Sequence, residues 1–181
     1  MPDNRSRTAK APPVPVALFL FAAFMLSACV QSETPLLAGS KPLLGTQFQL
    51  NLYQDFTEGK ARAVKTSVFR WNNNRYALVS GDSSGVEYFV VQPIDGGNLL
   101  VEANEHDHVY LLGRKLAKGT YSIVPIDQND VDEATRNRTC VTRSPVICTI
   151  RTRRQLDVFI RAAAAKTGGE IIVGMISATA K

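Results

Sequence analysis

Four groups of residues in this chain of 181 have types and spacings that could do chemistry. Glu105-His106-Asp107-His108 holds both histidines, and alternate positions on a strand would turn His106 and His108 to one side as metal ligands, with Glu102 close by as a third. A metal-dependent hydrolase is the activity such a site would serve. Polar loop residues need no metal, however, so the expectation is no cofactor. Gly81-Asp82-Ser83-Ser84-Gly85 fits G-x-S-x-G, a spacing that activates serine on a strained turn from strand to helix. Here a strand follows the motif, and a hairpin loop accounts for it without a nucleophile. Arg151, Arg153 and Arg154 could bind an anion, and Cys140 and Cys148 could form a bridge or a redox pair.

The remaining cysteine belongs to a different pattern. Arg5, Arg7 and Lys10 precede an apolar run from Val14 to Leu26, broken only by Pro15 and ending in Ser27 and Ala28, which is the three-part order of a secretory signal. Leu26-Ser27-Ala28-Cys29 resembles the lipobox of bacterial lipoproteins, and the resemblance covers the leader alone. It implies that the Cys29 thiol is alkylated with diacylglycerol, that the leader 1–28 is cut away, and that the new amino terminus is acylated. Two or three acyl chains, at roughly 0.8 kcal/mol per buried methylene, hold a protein stably to a bilayer, so lipid replaces a spanning helix. The apolar run falls short of the roughly 20 residues that a span needs. Val30 is not the aspartate that resembles an inner-membrane retention signal. The expected address is therefore the bacterial cell envelope, periplasm-facing, with the outer membrane favoured over the inner.

Export decides how the other two cysteines are read. An even pair in an oxidising compartment is most simply a disulfide, whereas redox pairs usually stand two residues apart at a helix start. Cys140 and Cys148 are expected to be bridged.

The body that carries these groups is one domain. Without the leader the chain has the size of an ordinary single core, and 45% hydrophobic with 20% charged residues excludes a mainly disordered protein. Residues 29–46 hold Ser32, Pro35, Gly39, Ser40, Pro42 and Gly45 without periodicity and are expected to be a lipidated tether. The globular domain is expected over 47–181. Gln47 to Tyr53 alternates as a half-buried strand and opens it.

Two segments, 68–95 and 99–127, look like repeats of a three-stranded meander, with Tyr76 matching Tyr110 and Tyr88 matching Tyr121 at an offset of about 33 residues. Asp95-Gly96 suits a two-residue hairpin turn, and Pro93 and Pro125 should end their strands. Thr152 with Gln155 has capping-box spacing, and Leu156, Phe159, Ile160, Ala163 and Ala164 follow at helical intervals. Val146 to Ile150 precedes that helix as a strand, and Ile171 to Ile176 follows it as a closing strand. The predicted fold class is α+β, mainly antiparallel β, a small barrel or sandwich with one carboxy-terminal helix.

Charge is segregated beneath a net +5. The stretch 82–133 carries ten acidic residues against Arg114, Lys115 and Lys118, while 136–161 carries seven arginines against Asp157. Arginines at a helix start oppose the macrodipole, so something negative should compensate Arg151, Arg153 and Arg154. The acidic stretch of the same chain is the first candidate, and anionic lipid or an envelope protein is the second. Nucleic acid is disfavoured by compartment. The expected function is a non-enzymatic binding or assembly-support module, with the hydrolase using His106 and His108 as its rival.

Overall fold

The computed structural model describes residues 29–53, 63–81, 86–104, 107–143, 147–166 and 174–178. In chain order these form β1 (Cys29–Ser32), β2 (Gln47–Tyr53), β3 (Ala63–Asn72), β4 (Arg75–Ser80), β5 (Tyr88–Pro93), β6 (Leu99–Asn104), β7 (His108–Ala117), β8 (Thr120–Pro125), α1 (Glu133–Thr139), β9 (Thr142–Arg143), β10 (Ile147–Thr149), α2 (Arg153–Ala165) and β11 (Gly174–Ala178). Strands β2 to β8 run antiparallel in succession, and β11 enters between β2 and β8. Since β6 also pairs with β7, the ring β6-β5-β4-β3-β2-β11-β8-β7 closes on itself as an eight-stranded barrel. Closure excludes the sandwich and removes the ring's open edges.

Alternation along the strands creates two cores. On β6, Leu99, Val101 and Ala103 point into the barrel while Leu100 points out. The interior is filled by side chains, with Phe48, Phe69, Phe89 and Tyr76 in mutual ring contact at centroid distances of 4.7–6.1 Å. Outward-facing Val90, Leu100, Leu112 and Val124 build the second core with Leu156, Phe159 and Ile160 of α2.

Helix α2 forms because Thr152 and Gln155 make the reciprocal capping box and because Leu156, Phe159, Ile160 and Ala163 supply one buried stripe. A second helix, α1, accompanies it. Its cap is Asp132, whose carboxylate accepts the Thr135 N–H at 2.6 Å, and that bond holds the carboxyl below the usual aspartate range. Among the described residues no helix is long and apolar enough to cross a membrane.

Several expectations change at this level. The 29–46 segment is not a free tether. Its first four residues are β1, wedged between β7 and β10, and Val30, Leu37 and Leu44 are buried. Isolated apolar residues among proline, glycine and serine carry no period, which is why the packing could not be read from them. Residues 33–46 then cross the outside of the barrel as a strap. Gln92 Nε2 donates to the Ala38 carbonyl at 2.8 Å, and Gly39 passes so close to the β3–β4 hairpin that a Cβ there would meet the Asn74 oxygen at 1.7 Å. The strap ends by plugging the barrel: the Tyr76 hydroxyl accepts the Leu44 N–H and donates to the Gly45 carbonyl. Burial pushes that hydroxyl up to about 12.

The two matched segments are not superimposable repeats in their packing. Tyr76 lies in the barrel interior and Tyr110 in the outer core, while Tyr88 packs outward and Tyr121 inward. The matched tyrosines are 34 and 33 residues apart, so the sequence match does not follow the alternation of faces along the strands. Hydrogen bonding also runs unbroken from β5 to β6, so no boundary separates the segments.

Pro93 and Pro125 are the last residues of β5 and β8, as expected. The Asp95-Gly96 turn is longer than two residues. Ile94 N–H bonds to the Asn98 carbonyl at 3.0 Å, and the positive φ values fall on Gly96 and Gly97. The two-residue turn with positive φ at both centres is instead Asn73-Asn74, between β3 and β4. Strand β10 stands where Val146 to Ile150 was expected, but it extends the sheet beyond β1 rather than joining the ring. The closing strand is Gly174–Ala178, with residues 171–173 outside the described ones.

Candidate functional site

Glu102 has no water-exposed surface and directly follows the apolar run Leu99-Leu100-Val101 on β6. On β6 it alternates with Val101 and Ala103, so it shares the outward face with Leu100 and lies beneath the strap. Register places it opposite Tyr110 on β7, and His108 opposite Asn104 two pairs further on. Its Oε2 accepts the backbone N–H groups of Leu36 and Leu37, both at 2.9 Å. Its Oε1 lies 3.3 Å from Nδ1 of His108, and neither of these two buried atoms has a hydrogen bond of good geometry.

Tyr110, also fully buried, holds the Ser32 hydroxyl at 2.7 Å, and Ser32 donates on to the Thr34 carbonyl. Burial is the main cause that holds the Tyr110 hydroxyl well above the usual tyrosine range, and the Glu102 carboxylate pushes the same way. Four polar side chains of types used in catalysis therefore meet at one point. What they bind there is the chain's own amino-terminal segment. Buried charge-assisted bonds from a carboxylate to two amides are strong and directional, so Glu102 fixes the path of the strap at Leu36 and Leu37.

His108 joins this cluster, while His106 and Glu105 lie outside the described residues. Among the described residues no group of three or more His, Cys, Asp and Glu could hold a metal ion. Of the G-x-S-x-G segment, residues 82–85 also lie outside. Gly81 is described and has φ 97°, and a Cβ there would meet the Thr66 oxygen at 2.3 Å, so backbone packing accounts for that glycine.

Cys140 and Cys148 lie at disulfide distance, with S–S 2.04 Å. The bridge joins the end of α1 to β10 at Cys148, the residue that pairs with Val30 of β1. It therefore braces the strand that begins at Cys29.

The arginine group is divided. Arg153 Nε donates to Asp157 Oδ1 at 2.7 Å, one turn along its own helix, and its guanidinium also reaches Gln92 Oε1 on β5. The compensating carboxylate thus comes from α2 and not from the acidic stretch before it. Arg151 and Arg154 are exposed. Arg136 donates to Asn129 Oδ1 at 3.2 Å, and Lys166 reaches the Asn129 carbonyl and Asp130 at 3.1 and 3.2 Å. Sequence reasoning passed over Glu102 as anything but a spare metal ligand. The available signal was a lone carboxylate inside an apolar strand, which must find a buried partner.

The class defined here is a closed eight-stranded antiparallel barrel with two helices on its flank, its first strand and strap locked down by buried polar side chains. No protein-family model, no curated protein and no solved structure matches the chain.

Proposed function

We propose that the protein is a lipid-anchored component of the bacterial cell envelope, held through Cys29 and facing the periplasm, with the outer membrane favoured over the inner, and that its barrel is a non-enzymatic binding or assembly-support module. One observation supports the second part above others: Glu102, Tyr110 and Ser32, with His108 beside them, are occupied in holding the chain's own strap. Glu102 and Tyr110 have no exposed surface from which to meet a substrate. The anchor rests on the charged, apolar and Leu26-Ser27-Ala28-Cys29 order of the leader.

Three measurements test this function. Mass spectrometry of the native protein should find Cys29 as the first residue and carrying lipid; an unmodified Cys29 behind an intact leader rejects the anchor. Elemental analysis of the same preparation should find no stoichiometric zinc. Stoichiometric zinc that is lost when His106 and His108 are both changed to alanine would replace the binding module with the hydrolase. Photo-crosslinking in cells from Arg151 or Arg154 should capture an envelope protein, because both side chains are exposed beside a neutralised Arg153.

A further inference from the structure

We infer that the barrel lies directly on the bilayer, with the flank made by β1, the start of β10 and the turn 127–130 against the headgroups. This rests on the proposed anchor at Cys29 and adds to it the face that meets the membrane. A lipid attached at Cys29 puts its acyl chains below a headgroup layer roughly 5–7 Å deep, so the Cys29 backbone must stay at that level. No free residue separates it from the barrel. Strand β1 starts at Cys29, Val30 is fully buried, and the Val30 N–H bonds to the Ile126 carbonyl at 3.3 Å.

Releasing β1 to act as a tether would break contacts on both sides of it. On one side it pairs with β10, through Cys29↔Ile147, Val30↔Cys148 and Gln31↔Thr149, and β10 is braced by the disulfide. On the other it pairs with β7, and the Ser32–Tyr110 and Glu102–Leu36/Leu37 bonds hold the end of β1 and the start of the strap. Val30, Ser32, Leu37, Glu102, Tyr110 and Cys148 are buried, so release would leave buried polar atoms unpaired and put Val30 in water.

The same geometry decides which cations are nearest the headgroups. Asn129 stands three residues beyond Ile126, within about 11 Å of chain reach, and it gathers Arg136 and also Lys166, which is paired with Asp130 at 3.2 Å. Arg151 follows Ile150, whose N–H bonds to the Gln31 carbonyl, so it lies at the far end of the parallel pair, about 13 Å along the strands from Cys29. Long cationic side chains beside the anchor suit phosphate headgroups, with their stems along the protein and their charges at the interface. On the opposite side of the ring from β7, the barrel strand that β1 pairs with, and four strands away from it, stands β3 with exposed Arg70.

The test uses the mature acylated protein, beginning at Cys29, in vesicles of phosphatidylethanolamine and phosphatidylglycerol. Single fluorophores are placed by Asn129→Cys or Arg70→Cys and quenched by a nitroxide on the lipid headgroup. Docking gives quenching several-fold stronger from residue 129 than from residue 70. Equal quenching at the two sites, with lipid on Cys29 shown by mass, overturns the docked orientation and leaves the anchor standing, whereas absence of the lipid mass overturns both. A flexible glycine-serine insertion between Cys29 and Val30 should abolish the difference. A difference that survives the insertion would show that the body seeks the membrane by itself and that β1 does not set its position.

Discussion

The barrel interior and the layer outside it are both closed to water, yet different chemistry closes them. Inside, four aromatic rings fill the space and the one buried hydroxyl among them, Tyr76, is satisfied by two backbone groups of the plug. Outside, apolar packing under α2 is combined with a carboxylate, an imidazole, a phenol, a serine hydroxyl and a disulfide. Apolar packing is non-directional and tolerates exchange of similar volumes. A buried carboxylate accepting two named amides is directional, and it holds one segment in one place. The contrast teaches that the interior sets how firmly the barrel stands, while the outer layer decides where the amino-terminal segment is held.

Substitutions can break that contrast. Phe69→Ala, which removes a fully buried ring in contact with Phe48 and Phe89, should cost about 3–5 kcal/mol in denaturant unfolding and leave the path of the strap unchanged in whatever protein still folds. Glu102→Ala should cost about 3 kcal/mol, and its signature differs in kind: hydrogen exchange at Leu36 and Leu37 should speed up well before the barrel amides respond. If all amides accelerate together, strap and barrel are one cooperative unit and the contrast fails.

Smaller changes sharpen it. Reducing the Cys140–Cys148 bridge opens a loop of short separation, so the loss should be about 2.5 kcal/mol, and exchange at Val30 and Gln31 should rise because β10 is no longer braced beside them. The smallest effect belongs to Arg153→Gln. Its pair with Asp157 is partly exposed, so unfolding should shift by less than about 1 kcal/mol. A larger loss would mean that the contact with Gln92, and through it the Ala38 carbonyl, carries the strap as Glu102 does.

What could be read from the sequence was whatever is written in local pattern. The strand Gln47–Tyr53 was legible because its alternation is complete, and the helix at Arg153–Ala165 because a capping box and an apolar stripe coincide. Helix α1 has a cap but no apolar stripe, with Thr135 and Thr139 its buried residues, and so it was missed. Strand β1 was missed for a different reason: its partners, β7 and β10, lie far along the chain, and four residues ending in serine show no period. The site divided along the same line. The disulfide was inferred from counting, whereas the meeting of Glu102, His108, Tyr110 and Ser32 depends on a strap whose course only long-range packing determines.

The parallel pairing of β1 with β10 also governs the order in which the chain can fold. Cys29 and Ile147 are more than about a hundred residues apart, and β2 likewise waits for β11, since Leu52 pairs with Gly174. Neither early strand has all its partners until almost the whole chain has emerged, and bringing such distant segments together carries a high loop-closure entropy. Folding should therefore begin in the consecutive hairpins from β3 to β8, with the ring shut and the first strand seated last. Until then the nascent protein carries unpaired edges and an uncovered apolar flank, the state in which it is most exposed to aggregation and proteolysis.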